Sequence, residues 1–456
     1  MKPVNALTHA ALALFVIVCL LLIPDQSPAA DLTLSEAVEK ALANNPMLQA
    51  AGFRVVSAEE KTTQARSGAL PQVHLNGGYS RTTNPMWAFG TKLNQESITQ
   101  PDFDPARLNN PDDIGNYNSS LSVVWPVYDQ GRTWYGLQQA RLNRDAAGLY
   151  AERARQEVIN GTIAAYIGAV LARENEIVIR QVTDTARSHL NLIQSRYDGG
   201  FVAKSDLLRA QVHIADLEQQ LAEAKSGADI ARCRLTVAMG VEGGLDDLTL
   251  ISPLEQGEPI QGDLDAWINR ALADRPDLKS LSLQKDMAKK EVDKAKAARL
   301  PSVNLTGNYE INSEELDDHG NSYTVGAALS LPLYTGGRVS AAIREAESNL
   351  KQADAMLRSL NQQVCGETRQ AFFNARSAWE RIPVSKAAVG QAEESLRIVK
   401  NRYDSGLFTI TDLLDAEAAV QQGRMNHLKS LHDYKAAAAR LDLAAGSVDE
   451  NLYDRK

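Results

Sequence analysis

The chain states its plan twice. Residues 196–209 read RYDGGFVAKSDLLR and residues 402–415 read RYDSGLFTITDLLD, a displacement of 206 positions. The same displacement relates Pro126 to Pro332, Gly131-Arg132 to Gly337-Arg338, and Gly240 to Gly446. Upstream it becomes 230: Asn45-Pro46 matches Arg275-Pro276 and Leu70-Pro71 matches Leu300-Pro301, so the first copy carries 24 additional residues between Pro71 and Pro126. A chain duplicated in this way is expected to build one architecture from two similar halves, 31–240 and 263–446, and any function must use both.

The flanks and the bulk properties narrow the setting. Lys2, the apolar run from Ala10 to Ile23 and the small residues Ala29 and Ala30 read as a secretory signal peptide over 1–30. Val16-Ile17-Val18 ahead of Cys19 argue against a lipidation site. No later stretch has the roughly 18 consecutive apolar residues of a membrane-spanning helix. Cys233 and Cys365, the two remaining cysteines, are not at equivalent positions, so no disulfide framework is expected. The net charge of −9 carries no basic block, which argues against nucleic acid as a partner.

Within each copy the order reads helix, strand, loop, strand, long helix, tight turn, helix. The first helical segment spans 31–69, opened by Thr33 or Ser35 and interrupted at Asn44-Asn45-Pro46; its counterpart spans 263–299. Four segments then alternate apolar with small or polar residues: 72–80, 116–127, 302–311 and 322–333. Each has about the 9–11 residues that cross a bilayer as a tilted strand. Tyr79, Tyr117, Tyr309 and Tyr323 fall at the loop-side ends on the apolar face, and Trp125, Tyr128 and Tyr334 mark the other end, like two aromatic girdles. A soluble sheet with one wet face has the same alternation, and the girdles favour the membrane.

Four strands cannot close a barrel, and unpaired strand edges are not tolerated in hydrocarbon, so the chain is expected to oligomerise, giving eight strands in a dimer or twelve in a trimer. The segments 132–197 and 338–403 are each long enough for a helix of about 100 Å. Pro383 in the second predicts a kink or a break. Ile159, Ile163, Tyr166 and Val170, then Ala186, Leu190, Ile193 and Tyr197, form an apolar seam of helices packed along their length. The helices reverse at Gly199-Gly200 and at Gly406, with Ser205-Asp206 and Thr411-Asp412 as cap signals for the return helices to 240 and 446. A Gly-, Pro- and acid-rich linker, 241–262, joins the copies and is expected to pack round the hairpins, and a tail follows over 447–456.

Strand pairs leaving through YDQGR and YTGGR, each followed by a hairpin carrying RYxxG and then Ser-Asp or Thr-Asp, resemble the outer membrane efflux protein (TolC) family over 31–446. The resemblance implies a homotrimer with a twelve-stranded outer-membrane barrel continued by a periplasmic α-helical barrel of coiled-coil hairpins. It implies the exit duct of a tripartite efflux pump for small molecules, or alternatively of type I protein secretion, with a periplasmic adaptor and an inner membrane transporter as partners. It also places a periplasmic gate at Tyr403, Ser205 and Asp206, carboxylate rings at Asp412 and Asp415, and adaptor contacts at the turns Gly199, Gly200 and Gly406. Rings of like charge in a narrow mouth would attract cations. Asp206 and Asp412 read equally well as helix caps. Where a familiar member type has an Arg in the second turn, this chain has Phe408, so the ion pair to Asp206 would change, with Lys204 as a substitute.

No catalytic, cofactor or metal site is expected. His427 and His432 are five apart and off a shared helix face, and the glycine pairs belong to turns outside any βαβ unit. The reading of another class is a secreted coiled-coil structural protein, which leaves the aromatic-ended strand pairs unexplained. The first inter-strand loop, 81–115, holds the additional residues and, like the short acidic loop 312–321, is expected to face the cell exterior; a plug, a phage receptor and filler are all compatible with it, and filler is the default.

Overall fold

The computed structural model describes residues 30–241, 248–252, 254–315 and 318–448; the segment expected to be a signal peptide, apart from Ala30, and most of the tail lie outside the described residues. The elements in order are β1 (Ala30–Leu32), α1 (Leu34–Asn44), α2 (Pro46–Ser67), β2 (Gln72–Thr82), α3 (Pro85–Asn94), α4 (Pro105–Asn109), β3 (Ile114–Asp129), α5 (Arg132–Asp198) and α6 (Lys204–Met239). The second half has β4 (Leu248–Leu250), α7 (Leu264–Asp274), α8 (Pro276–Ala297), β5 (Ser302–Ser313), β6 (Gly320–Ser330), α9 (Arg338–Asp404) and α10 (Ile410–Ala445). The duplication reappears as equal lengths, with 67 residues in both α5 and α9 and 36 in both α6 and α10.

Two compact units divide the chain. One holds residues through Pro46, Gln156–Trp267 and Thr368 onward; the other holds Met47–Arg155 and Ile268–Glu367. In the first, the seam residues Ile159, Ile163, Tyr166 and Val170 are buried with Val38, Leu235, Met239 and Leu250 in one core. Residues 31–32, expected to open the first helical segment, belong instead to a strand: β1 pairs in parallel with β4 of the linker, Ala30 to Leu248 through Leu32 to Leu250. Tyr166 holds this pairing in place, its hydroxyl donating to Leu32 O at 2.7 Å and accepting from the Ser252 amide at 3.1 Å. Further along the linker, Leu254 and Ile260 pack on Ile382, Leu431 and Tyr434. Thr33 caps α1 through a full capping box with Glu36.

Each return helix ends at a left-handed glycine, Gly240 at φ +65° and Gly446 at φ +72°. Gly240 has a second reason to be glycine, since a Cβ there would stand 2.7 Å from Asn44 O. α9 passes through Pro383 without the break that was one expectation. Ala378 and Ile382, just N-terminal to the missing amide, are buried against Leu431 and Tyr434, and that packing keeps the helix together.

The second unit contains the sheet, in the order β2-β3-β5-β6 and antiparallel throughout. β3 and β5 join the two copies at its centre. The register shifts between Pro126 and Tyr128, where proline has no amide to give the ladder. β6 ends at Ser330, short of the expected 333, because β5 begins opposite it at Ser302 and Pro332 follows. The other strands run one to three residues beyond their expected ends on at least one side.

Arg275, at the break between α7 and α8, is almost wholly buried, bidentate to Asp277 and 2.6 Å from Glu367. Burial pushes the carboxyls of Asp277 and Glu367 up, but the hydrogen bonds and charge of Arg275 outweigh it and hold both below the usual range. Depressed carboxylates stabilise the fold above the ordinary carboxylate pKa, and that contribution is lost as pH falls through the depressed values. Arg275→Leu is expected to cost about 2 kcal/mol, because the two carboxylates left behind remain partly hydrated. In thermal melts the native protein's midpoint should fall at acid pH more steeply than that of the variant.

Candidate functional site

Up to the bulge after Pro126 the sheet sorts its side chains largely by parity, with Val124 an exception on the polar row. Val73, Leu75, Tyr79, Tyr117, Leu121, Trp125, Leu305, Tyr309, Tyr323, Val325 and Leu329 lie on one face, and all are exposed, Leu75 at 78% and Val325 at 79%. The opposite face carries Asn116, Asn118, Ser120, Ser122, Asn308 and Asn312. An apolar face of this extent is not a water-facing surface. At the loop end, Tyr79 stands opposite Tyr117 with ring centroids 4.7 Å apart, and the duplication repeats the pair as Tyr309 opposite Tyr323. The Trp125 indole donates to Ala69 O at 3.0 Å at the other end. Among the described residues, the outer ladders of β2 and β6 have no partner strand.

The hairpin tips form in the other unit. Gly200 takes φ +76° and Gly406 φ +75°. The Phe201 amide donates to Arg196 O at 2.8 Å and the Leu407 amide to Arg402 O at 2.9 Å, closing both helix ends in the same way. Phe201 and Leu407 protrude, 83% and 73% exposed. Inside the tips, Ile193 and Leu207 of the first hairpin are buried together with Tyr403, Ile410 and Leu413 of the second.

Polar contacts join the same two hairpins. The Arg196 guanidinium lies 5.6 Å from the centre of the Tyr403 ring and 3.7 Å from Asp404, and Arg209 donates to the Thr411 hydroxyl. His189 Nδ1 is 2.8 Å from the buried Glu417, and Gln421 donates to Gln220 at 3.0 Å. Burial raises the Tyr403 phenol above its usual pKa; Arg196 opposes that, while Asp206 and Asp404 add to it, so it is a neutral hydrogen-bonding group.

The two copies differ at the caps. Thr409, not Thr411, begins α10, and Asp412 completes its capping box: the Asp412 carboxylate accepts from the Thr409 amide at 2.8 Å and hydroxyl at 2.7 Å. Those bonds, the hydroxyl first, hold the Asp412 carboxyl below its usual value. The first copy has Ala203 at the cap, which offers no side chain, and Ser205 and Asp206 lie inside α6. Asp206, without a cap hydroxyl to bind, lies close enough to Tyr403 for its charge to act on the phenol, whereas Ser205 reaches only Asp206, at 3.5 Å. Asp415 is exposed one turn beyond Asp412. Lys204 is exposed and makes no ion pair with Asp206, and Phe408 packs into the apolar cluster with Arg402 over its ring at 5.4 Å.

The sequence pattern of the outer membrane efflux protein family matches residues 37–241 and 267–447. The chain belongs to that family. It is 28% identical to the alkaline protease secretion protein AprF of Pseudomonas aeruginosa, covering 92% of this chain and 85% of AprF. It is 25% identical to the proteases secretion protein PrtF of Dickeya chrysanthemi, covering 91% and 88%. Its fold matches the outer membrane channel CmeC of Campylobacter jejuni with a TM-score of 0.75 at 20% identity, over 91% and 85% of the two chains. This efflux protein is thus an outer-membrane channel protein, and the exposed apolar face of its sheet has a physical reason.

Sequence reasoning missed four contact residues of the efflux protein's tips: Arg196, Arg209, His189 and Glu417. Arg196 was visible as the counterpart of Arg402, and Arg209 as the basic partner of acidic Asp415 in the repeat. Nothing in the sequence pairs His189 with Glu417. Phe201 and Leu407 were also legible, as apolar residues at equivalent positions after a turn glycine. Thr409→Ala is expected to lose about 1 kcal/mol of helix-start stability. Hydrogen exchange across 409–415 should accelerate while 203–209, which has no side-chain cap, keeps its native rate.

Proposed function

We propose that three copies close their sheets into one twelve-stranded barrel and form the exit duct of an efflux system, with an adaptor and an inner membrane transporter docking from the periplasm. The observation that carries this reading is the exposed apolar face of a four-stranded sheet whose two edges lack partners. In hydrocarbon such edges cost several kcal/mol per unpaired group, and neighbouring copies supply the missing ladders. Phe201 and Leu407, beside Gly199, Gly200 and Gly406, give the adaptor an apolar foothold at the tips.

In this reading the tips are the gate. The Arg196–Tyr403–Asp404 cluster, the Arg209–Thr411 bond and the proximity of Asp206 to Tyr403 hold neighbouring hairpins together. Asp412 and Asp415, exposed three residues apart on α10, become rings of three carboxylates in a trimer and favour cations. No enzymatic step and no cofactor enter. Small molecules are one cargo class; protein cargo is the second reading, favoured because AprF and PrtF are both named for protease secretion.

Purified protein in planar bilayers should give a small conductance that rises severalfold in Asp206→Ala, Tyr403→Phe and Arg196→Ala. Unchanged conductance in all three would remove the gate, and recovery of the chain as a soluble periplasmic protein would remove the duct. Cells lacking the chain should lose secretion of a protein if the second reading holds, and should instead become more sensitive to small toxic compounds if the first does.

A further inference from the structure

The additional residues of the first copy are a folded body. Asn84 caps α3 by accepting from the Met86 and Trp87 amides at 3.1 and 3.3 Å. Ala88 is buried, and the Phe89 and Phe103 rings meet edge to face with centroids 5.8 Å apart. Asp102, buried beneath them, accepts from Lys92 at 2.7 Å and from the Thr99 hydroxyl and amide at 2.7 Å each. Lys92 first and Thr99 next hold its carboxyl far below the usual range, so this keystone stays charged. An ion pair between Arg81 and Asp113 closes the base of the loop. Filler has no core and no buried ion pair of its own.

This body is fastened to one face of the sheet. α3 touches β3, β5 and β6, three of the four strands. The Gln95 side chain donates to Gly115 O at 2.8 Å and to Asn116 Oδ1 at 2.9 Å, and Asn116 and Asn118 both donate to Asn312. Asn116, Asn118 and Asn312 belong to the polar row, opposite the tyrosines. Glu96 accepts from the Asn321 amide at 3.3 Å. At Gly320 the two backbones meet so closely that a Cβ would stand 2.1 Å from Asn94 O. Buried Gln95 Oε1 and Asn312 Nδ2 have no partner, which makes this junction the weakest part of an otherwise satisfied contact.

The geometry points to a lid: residues 83–113 fold across the polar, lumen-side end of the sheet and narrow the outer mouth of the barrel. The inference rests on the barrel reading above, since a lumen exists only if the polar face lines one. Three such lids, one per chain, would set a size limit at the outer end of the duct. That limit is separate from the gate at the hairpin tips and is formed by residues the second copy lacks. Asn312, Gly320 and Asn321 of the second copy supply the seat.

The test is labelling from outside intact cells. Ser120→Cys, on the polar row with Asn116 and Asn118, is introduced with Cys233→Ser and Cys365→Ser. Cells are then treated with a small membrane-impermeant maleimide or a bulky polymer-linked one. The lid predicts ready labelling by the small reagent and slow labelling by the bulky one. The bulky rate should rise severalfold both in Gly320→Ala, where the new Cβ displaces Asn94, and when 85–110 is replaced by a short Gly-Ser linker. Equal bulky-reagent rates with and without 85–110 would overturn the lid while leaving the barrel intact. If even the small reagent fails to reach Ser120→Cys without the loop, the barrel reading falls and the lid with it.

Discussion

The structure depends on one constraint: a backbone amide in hydrocarbon must have a hydrogen-bond partner. Among the described residues β3 and β5 satisfy it on both sides, while β2 and β6 satisfy it on one. The duplication produces this situation, because each copy contributes one strand to the centre of the sheet and one to an edge. A sheet with an apolar outer face and two open edges is incomplete as a single chain. Assembly is therefore a condition of its being in the membrane at all.

Where the copies agree, they build the scaffold; where they differ, they differentiate its ends. Equal helices, equal glycine turns and paired tyrosines come from the common pattern. Ala203 against Thr409 decides that Asp412 is tied to its own helix cap while Asp206 faces the Tyr403 cluster. The extra residues of the first copy add a folded body on the polar face of the sheet, at the loop-side ends of its strands, and the second copy lacks those residues. Two similar halves thus give a subunit whose hairpins are not equivalent at the tips.

Much of this was legible in the sequence, because the strongest signals are periodic and local. Parity identified the four strands and both of their faces, and the seam Ile159, Ile163, Tyr166 and Val170 is the buried core it was expected to be. What was not legible depends on long-range partners. The pairing of β1 with β4 joins three-residue strands more than 200 positions apart, too short to carry alternation of their own. The cap of α10 lies two residues before the expected Thr411, since several hydroxyls near a helix start are equivalent until one of them meets Asp412. Pro383 sits in an unbroken helix because packing on Leu431 and Tyr434 outweighs the local preference. The loop 81–115 has no periodicity, and its order comes from Asp102, which closes a local capping box with Thr99 but meets Lys92 only through the fold of the loop.

The central claim is that β2 and β6 find their missing ladders in neighbouring copies. Hydrogen exchange on the membrane-inserted protein, read strand by strand, tests it most directly. The account predicts that amides in 72–82 and 320–330 are protected to the same degree as those of β3 and β5. Rapid exchange confined to alternate amides of β2 and β6, with β3 and β5 protected, would contradict it.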